Sequence, residues 1–184
     1  STAVVGGTGG LVVALEQRHG LPDTDTLHRI RPQAFVVAMG AVERPLAFID
    51  NDRPGVMLLG AAERLLAYYG VRAGRQAVIF GNHDRLYPAA RRLAAGGMRI
   101  RAVVDTRSPD MARGSESTRR DLERHGVECM MGHAVVRALG RLDVSGVKIL
   151  RLGPDAETRT IPCDALLMSG GWSPMVHAGL QEGG

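Results

Sequence analysis

The stretch from Gln76 to Asp105 constrains the fold more than any other part of the chain. Gln76-Ala77-Val78-Ile79-Phe80 is a short apolar run of the kind buried on both faces of a parallel sheet. Gly81-Asn82-His83-Asp84 then makes a tight turn. Leu86, Ala89, Ala90 and Leu93 repeat at the spacing of one helical face, and Gly96-Gly97 ends the helix. Pro88 is compatible with that helix only in its first turn. Arg99–Asp105 is a second apolar strand. Strand, turn, helix and strand within about 30 residues make a βαβ unit with a right-handed crossover. The fold class is therefore α/β.

The rest of the chain is arranged around this unit. Thr2–Val5 and Leu11–Leu15 read as a glycine-linked hairpin, and 20–26 as a turn-rich loop. A strand is expected over Ala34–Ala38, running into Gly40. Arg44-Pro45 and Asp52-Arg53-Pro54-Gly55 punctuate a crossing segment. Val56–Tyr69 has a helical pattern, with Leu58, Ala61, Ala62, Leu65 and Tyr69 on its buried face and Gly70 at its end. Beyond the unit lie a polar loop, 106–114, and a charged helix, Ser115–His125. Strands follow over Val127–Met131, Ala134–Leu139 and Val144–Leu152, the last two as a meander, and Asp164–Met168 is a further buried strand. The chain opens directly into strand-like sequence and stops without a closing element, so it reads as a piece of a longer protein.

A βαβ turn is where a dinucleotide pyrophosphate sits, against the free N–H groups of a helix start. The usual pattern is G-x-G-x-x-G, followed about 20 residues on by an acid for the ribose hydroxyls. Here Gly81 stands at the first glycine, His83 at the second and Leu86 at the third, with Asp105-Thr106 at the place of the acid. Asp84 reads as the helix N-cap and would repel a phosphate. Asp105 favours a free 2′-hydroxyl, hence NAD; Arg107 could instead pair with a 2′-phosphate, hence NADP. On the residues alone, a nucleotide site and a Rossmann-like scaffold that binds nothing remain alternatives.

Other chemistries find little support. The 6 histidines are scattered, and none pairs with another at metal-ligand spacing on one helix face. The 2 cysteines form no CxxC, so a redox dithiol and a thiolate zinc site are excluded. Asp50-Asn51-Asp52 lacks the downstream residues of a calcium loop and reads as a polar turn. Basic residues exceed acidic ones, 23 to 19, but they are spread out, and aromatic residues are only 4%. That argues against a nucleic-acid surface. No run reaches the roughly 18 apolar residues of a membrane span, so the expected setting is cytoplasmic.

Two segments carry a family resemblance. Phe35-Val36-Val37-Ala38-Met39-Gly40-Ala41-Val42-Glu43-Arg44-Pro45 resembles the strand-and-glycine motif of two-dinucleotide-domain flavoproteins, with Met39 in the usual threonine's place. Leu166-Leu167-Met168-Ser169-Gly170-Gly171-Trp172-Ser173-Pro174 resembles the second such motif, where the chain returns to the flavin domain. More specifically, Glu43-Arg44-Pro45-Leu46, Asn51-Asp52-Arg53-Pro54-Gly55, Tyr69-Gly70-Val71, Asn82, Asp84, Tyr87 and Ser169-Gly170-Gly171-Trp172 resemble the alpha subunits of heterotetrameric sarcosine oxidases. Opine oxidases, hydrogen cyanide synthase and dye-linked proline dehydrogenase subunits look similar.

The resemblance implies a Rossmann-like nicotinamide-binding domain inserted between pieces of a flavin-type dinucleotide-binding domain. It divides the chain into a partial flavin-type domain at 1–40, a crossing linker and helix at 41–72, an NAD-binding-like domain at 73–164 and a return into the flavin-type domain at 165–184. It implies NAD here and FAD or FMN in the full complex. The partners would be other subunits of a hetero-oligomeric oxidase, with neither nucleic acid nor membrane. The assembly would demethylate sarcosine oxidatively to glycine, with oxygen as acceptor and hydrogen peroxide as product, and the amine would be oxidised on another subunit. The candidate cofactor residues are Gly81, Asn82, His83, Asp84, Tyr87, Asp105, Thr106, Gly40, Gly170 and Gly171; no catalytic or metal-binding residue is assigned. The rivals are a related amine or opine oxidoreductase with NAD(P)H–flavin hydride transfer, and a structural module whose nucleotide site is degenerate.

Overall fold

The computed structural model describes residues 2–8, 10–17, 25–36 and 38–176. The chain divides into two compact units, one made of residues up to Val42 and from Ser173 on, the other of Glu43–Trp172. In the first unit, β1 (Thr2–Thr8), β2 (Leu11–Glu16) and β3 (Thr26–Ile30) form an antiparallel sheet in that order. The hairpin is as expected. The strand expected over Ala34–Ala38 is absent: 34–36 and 38 are irregular, Val37 lies outside the described residues, and the strand falls earlier, at β3. Val36 is 83% exposed, so its side chain has no packing partner that would favour a strand. Most of the loop expected over 20–26 also lies outside the described residues. β4 (Ala41–Glu43) pairs with β13 (Trp172–Pro174), where the chain passes between the units.

The second unit is built on β5 (Val56–Leu58), β6 (Gln76–Gly81), β7 (Arg99–Asp105), β8 (Glu128–Met131) and β12 (Ala165–Ser169). These form a parallel sheet in the order β5-β12-β6-β7-β8. Strand side chains alternate between faces. Ala77, Ile79, Ala165 and Leu167 meet α1 (Leu59–Tyr69), α2 (Leu86–Ala95) and α3 (Glu116–Arg124) on one face. Val78, Phe80, Leu166 and Met168 meet the antiparallel meander of β9 (His133–Leu139), β10 (Gly146–Arg151) and β11 (Thr158–Ile161) on the other. Burial on both faces explains the unbroken apolar runs of β6 and β12. In β7, the pairing steps from Ile100 to Ala102, so Arg101 is an extra residue.

Several boundaries differ from the sequence expectations. Val56–Leu58 is a strand, not the first turn of a helix, because it pairs with Leu166–Met168. The buried face of α1 is Leu59, Ala62 and Leu66, whereas Ala61 and Tyr69 are exposed. β11 was not expected; its residues Thr158-Arg159-Thr160 are exposed, and only Ile161 faces the core. The crossing helix α1 and the strand β12 lie in the same unit as the βαβ segment. Leu58 gives α1 no side-chain cap, and Glu43 serves instead: its Oε2 accepts the Gly60 N–H at 2.9 Å. Among the described residues, no helix is long and apolar enough to cross a membrane.

Candidate functional site

The carboxyl ends of β7, β6 and β12 lie side by side, with Asp105 opposite Gly81 and Gly81 opposite Ser169. Open α/β sheets place their ligand sites at this edge. Gly81 is required by space, not by backbone angle: a Cβ there would lie 2.4 Å from the Ser169 carbonyl oxygen and 2.6 Å from Leu86 Cδ2. The Thr106 N–H donates to the Gly81 carbonyl at 3.1 Å and ties the tip of β7 to the turn.

Asp105 is fully buried. Its Oδ1 accepts the Arg107 backbone N–H at 3.0 Å and Arg107 Nε at 3.1 Å. Its Oδ2 accepts the Tyr87 hydroxyl at 3.0 Å and Arg107 Nη2 at 2.8 Å. Four donors use the whole acceptor capacity of a carboxylate. Burial, then the Asp105 charge, pushes the Tyr87 phenol well above its usual range, so it remains a donor. The Asp105 hydrogen bonds hold Arg107 firmly charged. Tyr87 has no exposed surface and is part of the core beneath the helix.

Asp84 does not cap α2, which begins after Arg85 with no side-chain cap bond. Its Oδ1 instead pairs with Arg107 Nη2 at 2.8 Å, bridging the turn and the tip of β7. Pro88 lies in the first turn of the helix, as its chemistry requires. His83, in the second glycine's place, is half-buried. Its Nε2 is 2.8 Å from Ser169 Oγ, and its Nδ1 is buried without a partner. Burial, then the Arg107 charge, lowers its pKa, which favours neutral imidazole. The His83 ring meets Trp172 at 5.1 Å between centroids, and the Arg85 guanidinium lies 4.3 Å from the Trp172 ring centre. Asn82 is exposed.

The glycines near the ends of the second unit are placed differently from one another. Gly170 and Gly171 admit a close protein neighbour. The Gly170 N–H donates to the Arg44 carbonyl and the Arg44 N–H to the Gly171 carbonyl, both at 2.8 Å. A Cβ on Gly170 would lie 3.1 Å from the Arg44 oxygen. Gly40 belongs to the first unit. Sequence reasoning missed Ser169 as the partner of His83 and Trp172 as the platform for Arg85. The one available signal was that both sit in the glycine-rich run that follows a buried strand.

Burial pushes both cysteine thiols, Cys129 and Cys163, up to about 12. A thiol needs its thiolate to react. The native protein is therefore expected to react with an aromatic disulfide reagent at about pH 8 far more slowly than the denatured chain. Rapid, stoichiometric labelling of native protein would contradict this.

Comparison with known proteins places this geometry. No family model matches the chain. It is similar to a FAD-dependent pyridine nucleotide-disulphide oxidoreductase from Desulfovibrio vulgaris, with a TM-score of 0.64, 22% identity and coverage of 99% of this chain and 46% of that one. The fold is thus the Rossmann-like α/β scaffold of the pyridine nucleotide-disulfide oxidoreductases. The chain is 38% identical over 165 residues to the sarcosine oxidase subunit alpha of Corynebacterium sp. (strain P-1), covering 87% of this chain and 16% of that protein. It is 36% identical over 160 residues to that of Rhizobium meliloti (strain 1021), covering 87% and 15%. The chain belongs to the family of sarcosine oxidase alpha subunits and spans about a sixth of their length.

Proposed function

We propose that this chain is the NAD-binding portion of the alpha subunit of a sarcosine oxidase-like complex. The complex would convert sarcosine oxidatively to glycine with release of hydrogen peroxide, and would hold FAD or FMN as well as NAD. The observation that carries the reading is the convergence of Gly81, Asp84, Asp105 and Arg107 at the carboxyl edge of the parallel sheet. The residues present fit a dinucleotide. The first turn of α2 carries no acid and no side-chain cap, with Arg85 beside it. Pro88 has no N–H, and the Leu86 and Ala89 N–H groups already donate to the His83 and Arg85 carbonyls, so a phosphate here would rely on the helix dipole and the Arg85 guanidinium. Gly81 keeps the turn close to the sheet, and the tip of β7 offers charged groups for a ribose. NAD, when bound, supplies a nicotinamide able to exchange hydride. The chain's own residues bind and orient it, and amine oxidation falls to another subunit, in line with the relatives' designation as alpha subunits.

One observation favours a structural module with a degenerate site: the His83 imidazole fills the second glycine's place and bonds to Ser169. Calorimetric titration with NAD and NADP at moderate salt decides between the two. Saturable binding at micromolar to low millimolar concentration is expected. A folded protein that binds neither nucleotide would favour the structural module.

A further inference from the structure

We infer that Asp84 and Arg107, rather than Asp105, are the groups that meet a nucleotide ribose at this edge, and that Asp84 makes the site select against a 2′-phosphate. The inference rests on the nucleotide reading above. At the tip of the second strand an acid ordinarily takes the ribose hydroxyls. Here that acid has no exposed surface, and both its oxygens are taken by Tyr87 and Arg107. A hydroxyl could reach Asp105 only by displacing a donor from a buried carboxylate, which leaves that donor unpaired. Asp105 is therefore a positioning residue. It fixes the guanidinium of Arg107, whose side chain is 14% exposed, against the turn.

What remains open to a ligand lies one step outward. Asp84 is 51% exposed, its Oδ1 is engaged by Arg107, and its Oδ2 makes no hydrogen bond among the described residues. The Arg107–Asp84 pair offers an acceptor and a donor side by side. A ribose hydroxyl, which both donates and accepts, is satisfied by such a pair. A 2′-phosphate is not. Two carboxylates, Asp84 and Asp105, flank the one guanidinium, so the local balance is already negative. Arg85, at the start of α2, is stacked on Trp172. A doubly charged group seated on Arg107 would face both acids.

The test is titration of the full chain and of its Asp84→Asn variant with NAD and NADP, with far-UV circular dichroism confirming that both proteins fold. Wild type is expected to bind NAD at least about tenfold more tightly than NADP, given the cost of placing like charges together. Asp84→Asn is expected to weaken NAD and strengthen NADP, so that the preference shrinks at least about fivefold. A merely structural role for Asp84 would lower both affinities together and leave their ratio unchanged. An unchanged ratio, or wild type that binds NADP as well as NAD, overturns this inference and leaves the nucleotide reading standing. Binding of neither nucleotide overturns both.

Discussion

Asp105→Asn lowers the unfolding free energy of the second unit by about 3 kcal/mol, in the range for removing one partner of a buried ion pair. The reason lies in what converges on the carboxylate. Tyr87 and Arg107 direct three side-chain donors at it, and the Arg107 backbone N–H adds a fourth. An amide keeps one acceptor oxygen but turns its other atom into a donor, which then faces the Tyr87 hydroxyl and Arg107 Nη2. Arg107 is left with Asp84 as its charged partner, a half-exposed group whose pairing in water contributes little. Tyr87 has no exposed surface, so its hydroxyl cannot turn to water for a replacement bond. Urea unfolding followed by the fluorescence of Trp172, the chain's one tryptophan, measures the loss within this unit. An unchanged midpoint would mean that the carboxylate is a solvent-facing ligand group and not an internal hub. A double-mutant cycle with Arg107→Met separates the pair's own coupling from the desolvation of each group.

The same network shows where sequence reading reaches its limit. The βαβ unit was legible because its signals are local: an apolar run, a tight turn, a 3.6-residue period that begins at Leu86, then a second run. The meander was legible in part, and β11 was not, because three of its four residues are exposed and what holds them is pairing with β10 and the Arg159–Glu128 ion pair, neither of which is local. Val56–Leu58 was read as helix because three apolar residues before a helical period do not differ locally from its first turn. Only the neighbouring β12, more than a hundred residues away in sequence, makes them a strand. Position identified Asp105, but nothing in the sequence states that Tyr87, the second residue of α2, aims its hydroxyl at it. Nor does the sequence state that Arg107 folds back two residues onto the acid instead of outward to a phosphate. Those facts depend on the height at which α2 crosses the sheet. Gly170 and Gly171 read as glycines that bind a cofactor, and the close neighbour that the structure shows is a piece of backbone. That the approaching group is the Arg44 backbone depends on how the chain leaves β4.

Gly81→Val destabilises the second unit by about 3 kcal/mol or more, at the upper end for overpacking a core. Gly81→Ala follows at about 2 kcal/mol. The cause is the identity of the atoms in the way. A Cβ at this position lies 2.4 Å from the Ser169 carbonyl oxygen, a backbone atom of the neighbouring strand, and 2.6 Å from a methyl of Leu86, which is fully buried in the first turn of α2. Neither can move alone. Shifting Ser169 loosens the pairing of β12 with β6, and shifting Leu86 lifts the helix start that the turn exists to place. Gly60→Ala is the control, because its Cβ has nearly the same overlap, 2.6 Å, but with Glu43 Oε2, the far end of a flexible side chain. There Glu43 swings aside. The loss of its bond to the Gly60 N–H is offset by the gain of alanine over glycine inside a helix, so the net change stays within about 1 kcal/mol. Urea midpoints of the two alanine variants, read through Trp172, separate the cases. Equal midpoints would show that β6 and β12 can part at no cost, and Gly81 would then owe its place to the ligand and not to the fold.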